Sequence, residues 1–148
     1  MIDMLEIRIA QDQDEINEAL MVREEVFVKG QGISFDRERD GLDDCAEHVI
    51  LYYNDKPTGA ARVRYLDGGM KLERVAILDE ARGRGLGVKL MEFLVQYGKQ
   101  KDVKEMNMYA QYYLLGFYSK FDFMQRGDVF YDADIKHVEM FLDLSVKR

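Results

Sequence analysis

The segment from Arg82 to Lys89 constrains the fold most, because three glycines at alternate positions separate a strand-like run from an amphipathic run. Glycine lets the backbone approach a ligand closely and adopt turn conformations that other residues avoid. A helix that begins here presents unpaired N–H groups and the positive end of its dipole, which together form an anion site. The segment also carries three cations, Arg82, Arg84 and Lys89. In a chain with a formal net charge of −7, this pattern predicts a diphosphate site.

Two common classes of phosphate-binding loop do not fit this segment. A P-loop ends in Gly-Lys-Ser/Thr, whereas Lys89 follows Val88 and precedes Leu90. A dinucleotide-binding fold requires G-x-G-x-x-G, and its last glycine would fall at position 88, which is valine. That fold also repeats parallel units, whereas the pattern around this loop predicts antiparallel neighbours. Both classes are therefore excluded.

Hydrophobic periodicity predicts a sheet flanked by helices. The predicted strands are 5–9, 49–53, 58–65, 71–78, 105–110, 124–130 and 137–144. The predicted helices are one that begins with a capping box at Asp12 and Glu15 and ends at Gly30, one from 86 to 97, and one from 112 to 120. The charged segment 34–46 is aperiodic and predicts a loop with a helical turn. The fold class is α+β: a mixed, mostly antiparallel sheet with one parallel βαβ crossover at the glycine-rich loop.

Length and composition exclude several classes of protein. The 148 residues predict a single domain spanning 1–148, and the lone Cys45 cannot form an internal disulfide. No run approaches the ~20 apolar residues of a membrane span, and the N-terminus lacks a signal-peptide pattern, so we expect a cytoplasmic protein without a membrane partner. Net acidity disfavours nucleic acid as a partner. His48, His137 and Cys45 lack metal-ligand spacing, so no metal is expected.

The glycine-rich segment resembles the cofactor signature of the GNAT superfamily of acetyl-CoA-dependent N-acetyltransferases. Arg82-x-x-Gly85-x-Gly87 matches R/Q-x-x-G-x-G/A, residues 73–77 resemble the family's fourth strand, and residues 117–123 resemble its F-Y-x-x-x-G-F segment. Further segments resemble the ElaA/YjcF-like branch, namely residues 22–28, 47–48, 110–111 and 137–140. The chain departs from the pattern at two positions: Asp122 replaces the family's usual glycine, and Gly30 replaces the branch's usual glutamate.

The resemblance implies how acetyl-CoA binds as cosubstrate. In this family the fourth and fifth strands splay apart, and the pantetheine arm pairs with the backbone of the fourth strand, beside Val75 and Ile77 here. Gln111, just after the fifth strand, would face the pantetheine. The residues implied to hold the pyrophosphate are Arg82, Gly83, Arg84, Gly85, Leu86, Gly87 and Val88.

The resemblance also implies two catalytic residues. A lysine-like amine with a pKa of about 10.4 is almost fully protonated at pH 7, so transfer needs a base or desolvation. Glu73, on the strand beside the expected acetyl group, is the candidate base; alternatively it is an exposed strand residue paired with Arg74 or Arg64. Tyr118 matches the family's general acid, and the alternative is a core tyrosine on an amphipathic helix. His137 lines the acceptor pocket in one interpretation and is a strand-end histidine with a local hydrogen bond in another.

Two functions remain open from the sequence, and the length of the transferred acyl chain is open as well. One is an N-acetyltransferase that acts on a small-molecule amine or a protein amino group. The other is a non-catalytic acyl-CoA-binding sensor or interaction module. Related proteins often dimerise through their C-terminal strands, so the resemblance also implies a possible homodimer.

Overall fold

A computed structural model describes residues 3–145. Its seven strands are β1 (Leu5–Ile9), β2 (Glu47–Tyr53), β3 (Lys56–Leu66), β4 (Gly69–Ile77), β5 (Glu105–Gln111), β6 (Met124–Asp132) and β7 (Ile135–Asp143). Its α-helices are α1 (Gln13–Arg23), α2 (Phe35–Glu38), α3 (Leu86–Gln100) and α4 (Leu115–Ser119). A π-helical segment (Glu24–Gly30) extends α1, and short 3-10 turns occupy Asp43–Cys45, Asp79–Ala81 and Tyr112–Leu114. No helix in residues 3–145 is long and apolar enough to cross a membrane.

The strands form one sheet in the order β1-β2-β3-β4-β5-β7-β6. Neighbouring strands are antiparallel except β4 and β5, which flank α3 and run parallel. This arrangement confirms the predicted mixed sheet with one parallel crossover. The β4–β5 pairing covers only two residue pairs, Met70 with Met106 and Lys71 with Asn107. Beyond Lys71 the two strands separate, as the resemblance implied.

Each face of the sheet carries its own apolar core. On one face α3 packs through Leu90, Met91 and Leu94, all fully buried, against the sheet. On the other face α1 covers Ile50 and Ala60. Strand side chains alternate between faces, so the consecutive buried residues of β2 supply both cores.

The first helix differs from its prediction in its second half. The predicted cap is present, since Asp12 accepts a hydrogen bond from the Glu15 N–H at 2.9 Å. The Glu15 carboxylate accepts from the Gln11 N–H at 2.8 Å instead of completing the box with Asp12. The α-helix ends at Arg23, and the chain continues to Gly30 as a wider π-helix. Hydrophobic spacing does not distinguish these two helix types over a single turn.

Several strands begin or end at other residues than the sequence predicted. Asn54 and Asp55 both have positive φ, 51° and 64°, so a two-residue turn joins β2 to β3, and β3 begins at Lys56, before its predicted start. β2 ends at Tyr53 as predicted but begins earlier, at Glu47. The predicted helix 112–120 is a 3-10 turn followed by α4. Segment 34–46 is a loop with short helical turns, as predicted.

Candidate active site

A cavity of about 480 Å³ lies where β4 and β5 separate. Residues 72–77 of β4 and 108–111 of β5 form its two sides. The glycine-rich loop and the start of α3 line it as well, together with Leu114, Phe117 and Tyr118 around α4. The gap between the strands therefore continues to the first turn of α3.

The glycine-rich loop forms an open cradle. Gly83 and Gly85 have φ of 81° and 73°, in the left-handed region that only glycine adopts readily. A Cβ at either position would meet no atom within 4 Å, so the space above the backbone is free. The first hydrogen bond of α3 runs from the Lys89 N–H to the Gly85 carbonyl at 3.2 Å. The N–H groups of residues 86–88 thus have no partner within the helix, and the cradle fits a diphosphate.

The structure brings nearly all the predicted cofactor residues to this cavity. Those that line it are Val75, Ile77, Arg82, Gly83, Gly85, Leu86, Gly87, Val88 and Gln111. Arg84 does not line the cavity. Its guanidinium lies over the Tyr53 ring instead, 5.5 Å from the ring centre. Lys89 also points elsewhere, and its ammonium is 3.8 Å from a Glu92 carboxylate oxygen.

Strand β4 carries a bulge at the cavity. Its register with β3 shifts between Ala60 and Arg62, and Arg74 has a φ of 55°. Bulges increase the local twist of a strand, which turns β4 away from β5 at this point. The Arg74 guanidinium is 3.1 Å from the Glu38 carboxylate and 3.2 Å from that of Asp40. The end of α2 and the loop after it therefore hold the bulged residue by its side chain.

Tyr118 lines the cavity, with 6% of its surface exposed. Burial, helped by the nearby Tyr113, raises the pKa of Tyr118 to about 12. The phenol therefore keeps its proton at neutral pH and is able to donate it. Phe117 packs edge-on against the Tyr118 ring with centroids 5.2 Å apart, which fixes the ring's orientation.

Glu73 also lines the cavity, but two arginines engage its carboxylate. Arg64 donates to it at 2.6 Å and Arg62 at 3.1 Å. Burial alone raises the pKa of Glu73, but the Arg64 hydrogen bond and the charges of both guanidinium groups outweigh it and lower the pKa below its usual value. A carboxylate held in this way is a weaker proton acceptor than a free one. Of the two partners predicted for it, Arg64 is present, and Arg74 instead contacts Glu38.

A buried network of arginines and carboxylates supports this wall of the cavity. Arg62 has no exposed surface and contacts Asp40 at 2.7 Å and Asp43 at 3.0 Å. Arg23, also fully buried, contacts Glu38 at 2.9 Å and Asp43 at 2.8 Å. These pairs tie α1, β3 and the 34–46 loop together.

More of the lining comes from segment 26–38, from the end of β6 and from the turn that follows it. Gln31 and Gln111 join the two sides through a reciprocal amide pair, with distances of 2.9 and 3.4 Å. Arg37 bridges to Asp132 at 2.9 Å. The aperiodic loop gave no signal for these contacts, whose partners are 80 and 95 residues apart. His137 lines the same region and makes the predicted local hydrogen bond, with its Nδ1 2.6 Å from the Ile135 carbonyl oxygen; its place in an acceptor pocket stays a prediction.

Comparison with known proteins identifies the family. The acetyltransferase (GNAT) domain family matches residues 8–144. The Bacillus subtilis protein YjcF, described as an uncharacterized N-acetyltransferase, is 35% identical over 136 residues, which cover 91% of this chain and 97% of YjcF. The chain belongs to the GNAT acetyltransferase family.

Two solved structures share the fold. Escherichia coli ElaA superposes with a TM-score of 0.82 at 24% identity, covering 93% of this chain and 99% of ElaA. A GNAT family acetyltransferase from Elizabethkingia anophelis, with acetyl-CoA bound, has a TM-score of 0.73 at 13% identity, covering 95% of this chain and 98% of that one. The resemblance to the ElaA/YjcF-like branch is thus confirmed, and the chain is an acyltransferase.

The backbone at position 122 has a conformation that suits the glycine of the GNAT pattern. Asp122 has a φ of 70°, which is the left-handed conformation that favours the family's usual glycine. Aspartate is among the few other residues that adopt it at modest cost. The turn after Tyr118 is therefore kept despite the substitution.

Within residues 3–145, no group of three or more His, Cys, Asp and Glu side chains is arranged to hold a metal.

Proposed function

We propose that this GNAT domain, spanning 1–148, transfers an acetyl group from acetyl-CoA to a primary amine of a small molecule or a protein. The observation that carries the proposal is the open Gly83–Gly85 cradle, which leads directly into the cavity where Tyr118 lies. Acetyl-CoA bound there supplies the thioester. The unpaired N–H groups of residues 86–88 and the Arg82 guanidinium would hold its pyrophosphate.

The separated strands suit the pantetheine arm. β4 pairs with β3 at Ala76 and Ile77, but its other edge has no partner strand beyond Lys71. The main-chain groups of Val75 and Ile77 on that edge are thus available for amide hydrogen bonds. Gln111 on the opposite side would reach the same arm once its contact with Gln31 is exchanged.

Tyr118 is the proposed general acid. The hydroxyl is protonated at neutral pH and lines the cavity, which supports proton donation to the leaving thiolate. Glu73 is the base that the sequence analysis predicted. Its two arginine partners make it a weaker proton acceptor and favour a structural role, in which the ion pairs hold the wall of the cavity.

Ligand-induced stabilisation tests the cosubstrate. Acetyl-CoA at 100 times its Kd should stabilise the protein by about 2.7 kcal/mol, which for this size raises Tm by roughly 5–10 °C. ATP and NAD serve as controls. Amine-dependent release of free CoA thiol then tests transfer with a panel of diamines, amino acids and short peptides. Stabilisation without thiol release would favour the non-catalytic sensor, and no stabilisation by acetyl-CoA would refute the cofactor site.

A further inference from the structure

His137 lines the cavity, and one of its ring nitrogens already makes a hydrogen bond. Its Nδ1 is 2.6 Å from the carbonyl oxygen of Ile135. A carbonyl oxygen only accepts, so Nδ1 carries the hydrogen of this bond. In the neutral imidazole Nε2 then holds the free lone pair. The local hydrogen bond therefore selects the tautomer that leaves Nε2 able to accept a proton.

The ring is fixed in place, and its Nε2 is free. His137 is 9% exposed and stacks on Phe130 with ring centres 5.6 Å apart and an interplanar angle of 22°. Within residues 3–145, the only wholly buried side-chain nitrogen or oxygen without a partner is Nδ1 of His48. The unpaired Nε2 of His137 accordingly keeps accessible surface. His137 is also the register partner of Gln111, so both side chains lie on the same face of the sheet.

The carboxylates that line the described part of the cavity are all engaged by arginine. They are Glu38, Glu73 and Asp132. Their guanidinium partners are Arg23, Arg39 and Arg74 for Glu38, Arg62 and Arg64 for Glu73, and Arg37 for Asp132. An arginine partner makes a carboxylate a weaker proton acceptor, whereas Nε2 of His137 carries a lone pair without such a partner.

We propose that His137 Nε2 is the base that accepts the proton of the acceptor amine. The assignment rests on the proposed N-acetyltransferase activity. The amine nitrogen bonds to the acetyl carbonyl carbon, and the carbon–sulfur bond breaks. His137 takes a proton from that nitrogen, and the Tyr118 hydroxyl gives its proton to the sulfur. The proton on His137 then returns to the Tyr118 oxygen through solvent, which restores both residues.

Two substitutions separate the base from the local hydrogen bond. His137→Asn keeps an N–H near the Nδ1 position and removes Nε2, whereas His137→Gln places its amide near Nε2. A general base contributes about 10²- to 10⁴-fold, so we expect kcat to fall at least 100-fold in both variants. Thermal stabilisation by acetyl-CoA should stay within 2 °C of the wild type. Wild-type turnover in His137→Asn, or loss of acetyl-CoA stabilisation in both variants, would reduce His137 to a structural residue and overturn the proposal.

Added imidazole provides a readout that a structural role does not produce. His137→Ala opens a space beside Phe130, and the rate of thiol release by this variant should rise with imidazole concentration. A rate that does not respond to imidazole contradicts the assignment. Wild-type protein measured in parallel separates the two proposals. If the wild type shows no amine-dependent thiol release, the acetyltransferase proposal fails; if it turns over and His137→Asn matches it, only the base assignment fails.

Discussion

Replacing Gly85 with alanine tests whether the glycine cradle is the diphosphate site. A Cβ at Gly85 meets no atom within 4 Å, so the cost to the free protein comes from the backbone conformation alone. Holding alanine at a φ of 73° costs about 1–2 kcal/mol. The lower entropy of the unfolded chain returns about 0.4–1 kcal/mol of that cost. The free energy of unfolding should therefore fall by about 1 kcal/mol, and Tm by about 2–4 °C.

The chain offers a matched control at Gly127 in β6. Its φ is 80°, and a Cβ there also meets nothing within 4 Å, but it does not line the cavity. Gly127→Ala should thus cause the same loss of stability as Gly85→Ala. The two variants differ only in whether the new methyl group and the strained backbone lie at the start of α3.

Binding of acetyl-CoA should distinguish the two variants. Loss of one hydrogen bond between a backbone N–H and a charged phosphate costs about 1.5–3 kcal/mol, so we expect Gly85→Ala to raise Kd at least tenfold. Urea unfolding measures the stability of each variant, and titration calorimetry measures its Kd. Equal Kd values for Gly85→Ala and Gly127→Ala would refute the cradle as the binding site.

Three further predictions concern Tyr118, the proposed general acid, and the buried ion pairs. Tyr118→Phe removes the proton donor and keeps the ring, so turnover should fall at least tenfold while acetyl-CoA binding is retained. Arg62→Met leaves buried carboxylates without their shared cation, and the free energy of unfolding should fall by about 3–5 kcal/mol, against less than about 1 kcal/mol for Arg37→Met at its exposed ion pair. Arginine partners hold the pKa values of Asp40 and Glu73 below their usual range despite burial, so stability should be full above about pH 4 and fall as pH drops through the lower folded-state values.

Each of these expectations has a contradicting result. Wild-type kcat in Tyr118→Phe would remove the hydroxyl from the mechanism. Equal losses of stability for Arg62→Met and Arg37→Met would mean that the buried pair contributes no more than a surface pair. An unfolding free energy that is unchanged between pH 6 and pH 3 would show that Asp40 and Glu73 titrate alike in the folded and unfolded chain.

The elements that the sequence predicted well are those fixed by local chemistry. The cap at Asp12, the turn at Asp55 and the start of α3 after Gly85 each depend on a few neighbouring residues. Alternating and helical periodicity then fixed the element types, because strands and helices bury side chains at different intervals. The parallel crossover followed from the order of these elements.

Contacts between distant charged residues could not be predicted in the same way. Arg62 and Arg64 alternate along β3 and so share a face, but only the β3–β4 register opposes Arg62 to Glu73 and brings its carboxylate to both arginines. Arg84 lies within the cofactor signature, yet its side chain stacks over Tyr53 from another strand. For His137 the sequence offered two interpretations, and the structure confirms the local hydrogen bond, whereas the role in the acceptor pocket stays a prediction.

The aperiodic segment 34–46, which includes α2, has a structural role that its sequence pattern does not indicate. Arg74 sits at a φ of 55° in the bulge of β4, a conformation that costs a non-glycine residue about 1–2 kcal/mol. Its guanidinium recovers this cost through charge-assisted hydrogen bonds to Glu38 and Asp40, both of which belong to the loop region. The loop therefore stabilises the bulge, and the bulge turns β4 away from β5 to open the cavity. Because Glu38 is bound to Arg74 and Glu73 to Arg62 and Arg64, these two acidic side chains shape the cavity, which is why we propose His137 and not Glu73 for proton removal.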